Sequence, residues 1–352
     1  MSERVLRELD PEILSIASGA GTVMVSNRFQ GRIFAAVAGR LLHRFDAELA
    51  AAPDPENFNN LGGNSLWPAP EGGNFAFNYP PAGEWRVLPA INCVPTGTLL
   101  EEPGRIVVSK EIELENRRGK HFRVLFRREV SAIASDDVGW TLPPELSWCG
   151  YHSIDELIPE PGIPLDAAVL AAWSLEQFPG AENIIAFGRC AGSAAGCIND
   201  DFYGDPSTRI SCSGRVFRFE LGGEKRLQIG VSAACAPEFI GSLDRGRGVL
   251  SMRFTPSRTD GRYINIADND QPRGVYSAAD MFSIFNGASE TDFHELETIA
   301  PMGVAADGTL GASRLESTTR FYIGDGAVLE EFLRSAAGVD LRQSAKQESP
   351  GS

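Results

Sequence analysis

RIVVSKEIELENRRGKHFRVLFRREVSA, residues 105–132, reads as two strands joined by a turn. Ile106, Val108, Ile112 and Leu114 recur at every second position, with Ser109, Glu111, Glu113 and Glu115 between them. After NRRG the same alternation returns, with Phe122, Val124, Phe126 and Val130 set against Arg123, Arg127 and Glu129. Period two places one set on a core face and the other toward water, the mark of a half-buried strand. The composition of NRRG at 116–119 predicts a hairpin turn.

Working outward, GRVFRFELGG (214–223), RLQIGVS (226–232) and GVLSMRFTP (248–256) continue this strand pattern. LGGEK at 221–225 is expected to be a second hairpin turn. Helical periodicity is confined to the first 16 residues and to GAVLEEFLRSAAG (326–338), where Gly338 supplies a stop signal. The 37 glycines and 22 prolines are spread along the chain and do not gather in one linker. No repeat of 20 to 50 residues is visible. The expectation is an all-β chain of large antiparallel sheets with a short C-terminal helix. Residues 1–340 would form one domain, and 341–352 a disordered tail.

Charge and composition exclude several classes. A formal charge of −15 over 352 residues opposes binding to nucleic acid or to anionic lipid. No apolar run is long enough for a membrane helix, and MSERVLRELDPE at the start lacks a secretory segment. A cytoplasmic location is therefore expected. The expected partner is a small neutral molecule, taken up by a monomer or homodimer. The cysteines at 93, 149, 190, 197, 212 and 235 form no C-x-x-C pair and read mostly as buried free thiols. No metal site and no cofactor are expected. NIIAFGRCAGSAAG (183–196) has the wrong glycine spacing for a dinucleotide fingerprint, and GVSAA (230–234) ends in alanine where a nucleophile elbow needs glycine.

NNLGGNSLWPAPEGGNF, residues 59–75, has neither period. Its glycines let backbone approach a ligand, its amides offer donors and acceptors, and Trp67 offers an apolar plate. Glu71, Trp67, Asn60, Asn64 and Asn74 are candidate site residues on this ground. In FHELETIAPMG (293–303), Glu295 and Glu297 share parity, and His294 faces the other way. Two carboxyls on one face, if buried, push one another's proton affinity up and can serve as an acid and a base. AAWSLEQF (171–178) adds Trp173 and Gln177 on one face and Glu176 on the other. Arg32, Arg314 and Arg320 are candidate donors to a carboxylate or a sugar oxygen.

Taken in order, NRFQGRIFAAVAG (27–39), NNLGGNSLWPAPEGGNF, AAWSLEQF and FHELETIAPMG resemble the landmarks of an uncharacterised bacterial family in the galactose mutarotase-like (aldose 1-epimerase) superfamily. The resemblance implies a β-supersandwich with sugar chemistry in a cleft. Leu296, Glu297 and Thr298 match the segment that carries the catalytic base in aldose epimerases, which implies that role for Glu297. Where those enzymes carry two histidines, this sequence has none. Glu71 or Glu176 would then be the acid, with Trp67, Asn60, Asn64, Asn74, Arg32, Trp173, Gln177, Glu295 and Arg320 as binding residues. The alternatives are a sugar-binding or regulatory protein without turnover, and a lyase or glycoside hydrolase on the same scaffold.

Overall fold

The computed structural model describes residues 1–77, 88–134, 139–180, 182–202, 204–256, 258, 261–266, 280–288 and 291–342. Arg105–Glu115 and His121–Ala132 pair antiparallel, with Ile112 opposite Val124 and Glu115 opposite His121. The Asn116 amide donates to the Lys120 carbonyl and closes the expected turn. Two residues break the alternation by placing charge on the apolar face: Lys110 and Arg128 are both buried.

This hairpin belongs to one of two large antiparallel sheets. Among the described residues its sheet runs Ile210–Ser213, Val216–Glu220, Ile185–Cys190, Pro237–Asp244, Val249–Phe254, Ser313–Ile323, Ser147–Pro159, His121–Ala132, Arg105–Glu115 and Gly97–Glu102. The other sheet runs Leu14–Ser18, Gly21–Ser26, Arg32–Val37, Gly63–Ala69, Ala171–Pro179, Phe293–Ile299, Asp280–Asn286, Leu227–Ser232 and Ile198–Asn199, and Arg40–Leu41 pairs with Arg32–Val37. We call this second one the site sheet. The main core is shared between the sheets, with Ile33, Leu66, Phe282 and Leu296 from the site sheet meeting Ile106, Phe126, Tyr151 and Phe321.

Both outer faces are partly covered. Helix Gly326–Ala337 lays Leu329, Phe332 and Leu333 on Leu243, Leu250, Met252 and Tyr322. Asp325 caps its first turn, accepting from the amides of Ala327 and Val328, and Gly338 ends it in the left-handed region at φ 66°. Leu341 is buried in the same cluster, so packing continues past 340, and residues 343–352 of the expected tail lie outside the described residues. At the N-terminus, Glu3–Leu9 forms a helix of two turns within the first 16 residues, and Leu14–Ser18 is already a strand. That helix and Ala47–Ala51 cover Met24, Phe34 and Ala36 on the outside of the site sheet. They leave the outer face of its central strands free to form a cavity.

Two expectations are corrected. LGGEK is not a hairpin turn, because Val216–Glu220 and Leu227–Ser232 lie in different sheets. The link crosses between them, with Gly222 and Gly223 at φ 94° and 78°, and Asn286 holds it by bonding the Gly222 amide and the Lys225 carbonyl. The thiols are not all free: Cys197 and Cys235 are joined in a disulfide, brought together by the approach of Ile198–Asn199 to Leu227–Ser232. Among the described residues no helix is long and apolar enough to cross a membrane.

Candidate functional site

Strand register lays out the site as rows across the site sheet. One row reads Gln228, Phe285, Glu295, Gln177 and Gly63. The next reads Gly230, Ser283, Glu297, Leu175 and Ser65, and a third brings Trp67, Trp173 and Ile299 together. Directly opposed residues in a sheet point to the same face. Glu295, Glu297, Gln177, Gln228, Trp67 and Trp173 therefore converge on a cavity of about 360 Å³. Arg32, Asn60, Glu71 and Arg226 complete its polar lining, and Phe58, Phe285 and Phe293 its apolar lining. Trp67 meets Phe58 and Trp173 edge to face, at ring separations of 5.4 and 6.2 Å.

The two carboxyls are deeply placed. Glu297 is 1% exposed, and its Oε2 accepts from Trp173 Nε1 at 2.9 Å. Burial raises its proton affinity well above the ordinary carboxylate range, and the charges of Glu295 and Glu71 raise it further. Glu295 accepts from Gln177 Nε2 at 2.7 Å. Burial pushes it up to about 7, although Gln177, Arg226, Arg32 and Arg44 all pull the other way. The arginines therefore gather on the Glu295 side and Glu71 on the Glu297 side. A buried pair of this kind titrates as a unit and shares a proton near neutral pH. The arginines favour the charged form of Glu295, whereas burial and the charges of Glu295 and Glu71 favour the protonated form of Glu297.

The polar lining is incompletely satisfied. Gln177 Oε1, Asn60 Oδ1 and Arg32 Nε are buried and have no hydrogen-bond partner among the described residues. Buried polar atoms are nearly always paired, and a polar group entering the cavity could satisfy these three. Among the described residues no three His, Cys, Asp or Glu side chains are placed to share a metal ion. Replacing Trp173 with phenylalanine removes the one indole donor to Glu297. The expected result is a further rise in the apparent pKa of Glu297, read by carboxyl-carbon NMR titration. An unshifted titration would show that this hydrogen bond does not hold the carboxyl.

Eight of the residues singled out in the sequence line this cavity: Glu297, Glu295, Glu71, Trp67, Asn60, Arg32, Trp173 and Gln177. Four do not. Glu176 has the opposite parity to Trp173 and Gln177, no bulge intervenes, and its side chain points between the sheets. There His43 Nε2 donates to Glu176 Oε1 at 2.8 Å and Tyr151 donates to the same oxygen at 2.5 Å. Thr319 and Arg253 donate to Oε2 at 2.8 and 3.1 Å. His43 Nδ1 accepts from the Ala35 amide, so its ring proton sits on Nε2. Asn64 is likewise internal, donating to Tyr151 and accepting from Arg128 and Ser174. Asn74 is exposed and away from the cavity. Arg320 lies in the opposite sheet, 4.8 Å over Phe254, and Arg314 is an exposed partner of Glu316.

Gln228, Arg226, Phe58, Phe285 and Phe293 were missed. Gln228 carried a signal, because it is a polar residue alternating with the core-facing Leu227, Ile229 and Val231 of RLQIGVS. His294 faces inward, as its parity required, and Nε2 bonds Ser242 Oγ at 3.0 Å.

Residues 3–347 match the model of a protein family described as a family of unknown function (DUF6786), and the chain belongs to that family. No curated protein matches the sequence. Among solved structures, a galactose mutarotase-like protein from Lactobacillus casei is similar, at TM-score 0.51 and 7% identity, over 88% of this chain and 99% of that one. A galactose mutarotase related enzyme from Lactobacillus acidophilus is similar at TM-score 0.47 and 10% identity, over 89% and 98%. The first likeness establishes the fold as galactose mutarotase-like.

Proposed function

We propose that this member of the family acts on a carbohydrate and interconverts the anomers of an aldose, using Glu297 and Glu295 as its proton-transfer pair. The observation that carries the reading is the pair itself: two buried carboxyls on one strand face, opening into a cavity with aromatic walls and unmet polar atoms. A pyranose has apolar faces and a rim of hydroxyls, which suits indole plates surrounded by amides and carboxylates. The description of the similar structure as galactose mutarotase-like supports the choice of ligand class.

Ring opening needs one base and one acid at once. The carboxylate of the pair takes the proton from the anomeric hydroxyl. The C1–O5 bond breaks, its electrons pass to O5, and the other carboxyl protonates that oxygen. Rotation about C1–C2 and reversal of the steps give the other anomer, with no net proton change. Because burial, Glu295 and Glu71 all favour the protonated form of Glu297, the resting proton is placed there in this reading. Glu297 is therefore the acid on opening and the base on closing, when it recovers the proton from O5. In this reading the base role that the resemblance implied for Glu297 is one half of its cycle.

A second reading is favoured by one observation: no histidine lines the cavity among the described residues. A sugar-binding protein without turnover needs no acid beyond those that hold the ligand. NMR exchange spectra of the protein with a panel of aldoses separate the two. Faster anomer exchange in wild type, reduced at least about 100-fold in Glu297→Gln, is the expected outcome for an acid–base group. Binding without exchange would leave the second reading, and new product peaks would indicate cleavage chemistry.

A further inference from the structure

Resting on the carbohydrate reading, we propose that the preferred ligand is a sugar acid, whose carboxylate is received by Arg32 and Arg226 at the Glu295 end of the cavity. Arg32 is 2% exposed and lines the cavity. Its Nη1 donates to the Gly62 carbonyl at 2.6 Å, and its Nε has no partner. Among the described residues no carboxylate oxygen forms an ion pair with it within 4.0 Å. The acid that acts on it is Glu295, which Arg226 and Arg44 share, so the buried guanidinium is under-neutralised, a costly state that an anionic ligand would relieve.

Arg226 reaches the same cavity from an exposed position, with its guanidinium 5.3 Å over the Phe285 ring. Arg44 stands close behind, paired with Asp46 at 3.1 Å and 5.4 Å over Phe293. These three arginines surround Glu295, whereas Glu71 and Glu295 are the charges acting on Glu297. The cavity is therefore polarised, cationic at one end and acidic at the other. A neutral hexose would use the acidic end and leave Arg32 unmatched. A hexuronate matches both ends, because a planar carboxylate fits the guanidinium fork. Its hydroxyl rim would meet Gln177 Oε1, Asn60 Oδ1 and the carboxyl pair. The net charge of −15 opposes long polyanions, but a single carboxylate meets only the local field.

The test is a calorimetric titration of the full chain with glucose, glucuronate, galactose, galacturonate and glucose 6-phosphate, run beside anomer-exchange spectra. The expected result is that at least one uronate binds about tenfold or more tightly than its parent hexose, the scale of a charge-assisted bidentate contact. Arg226→Gln and Arg32→Gln should each erase most of that preference. Arg226 is exposed, so its variant remains informative if the Arg32 variant does not fold. Equal binding of hexose and uronate, a preference that survives in Arg226→Gln, or tighter binding of the phosphate ester would each overturn the assignment. Hexoses bound and interconverted without any uronate preference would overturn this inference alone. No binding of any sugar would overturn the carbohydrate reading with it.

Discussion

Replacing Glu297 with glutamine is expected to stabilise the protein above neutral pH while removing the proposed anomer exchange. A carboxyl whose proton affinity is raised by folding makes the native state hold a proton that the unfolded state has released. Stability then falls as pH rises from the unfolded value, near 4.3, through the folded one, and levels off above it. For Glu295 the folded value is about 7. At roughly 1.4 kcal/mol per pH unit, such a shift costs on the order of 3 kcal/mol once the group is ionised. Glu297, also raised by burial and by its neighbours, contributes in the same direction. Glutamine removes one charge of the pair and relieves the other. Thermal unfolding of wild type and Glu297→Gln from pH 5 to pH 9 should therefore show curves that nearly coincide at pH 5 and separate toward pH 8. A separation that is absent or reversed would mean that the pair is solvated. His294 acts on the acid side: burial lowers it to about 3, so the unfolded chain takes up a proton below about pH 6.5 that the native state refuses. That loss of stability on acidification should be the same in both proteins.

Arg253→Leu is expected to cost about 3–5 kcal/mol, the scale for removing one member of a buried ion pair. Arg253 is fully buried between the sheets. It donates to Glu176 Oε2 at 3.1 Å, to Ser174 Oγ at 2.7 Å and to the Leu296 carbonyl at 3.1 Å. Burial alone would raise the Glu176 carboxyl, but Arg253, His43 and Tyr151 outweigh it and hold the group below its ordinary value. Leucine leaves that charge without its cation. Leu296 sits between Glu295 and Glu297 in sequence, so the same arginine also fixes the strand that carries the two cavity carboxyls. Urea denaturation of Arg253→Leu, Glu176→Leu and the double variant checks this. The double loss should be well below the sum of the single losses, because removing both partners leaves no orphan. Additive losses, or a single loss under about 1 kcal/mol, would show that the network does not clamp the sheets.

Much of this site was legible in the chain. The hairpin at 105–132 and the C-terminal helix follow from local period and stop signals, which need no tertiary information. The shared face of Glu295 and Glu297, the opposite face of His294, and the awkward parity of Glu176 follow from the pleat alone. Alternation says which residues stand together, but it does not say which side is the cavity. Phe293–Ile299 is buried at all seven positions, so solvent exposure could not label its faces. Glu176 was weighed as an acid and is instead a clamp, because the sheet facing the site sheet supplies Tyr151, Thr319 and Arg253 on that side, and His43 joins them on the same carboxylate.

The sequence by itself determined the strand pattern, the pairing of the two acids, and the aromatic and amide character of residues 59–75, all consequences of backbone geometry within one segment. Only the tertiary structure decided the rest. It set Gln228 and Arg226 beside acids some 70 positions away, sent LGGEK across from one sheet to the other, and joined Cys197 to Cys235. Strand order is chosen by burying the largest shared apolar surface, a property of the whole chain that no local period encodes.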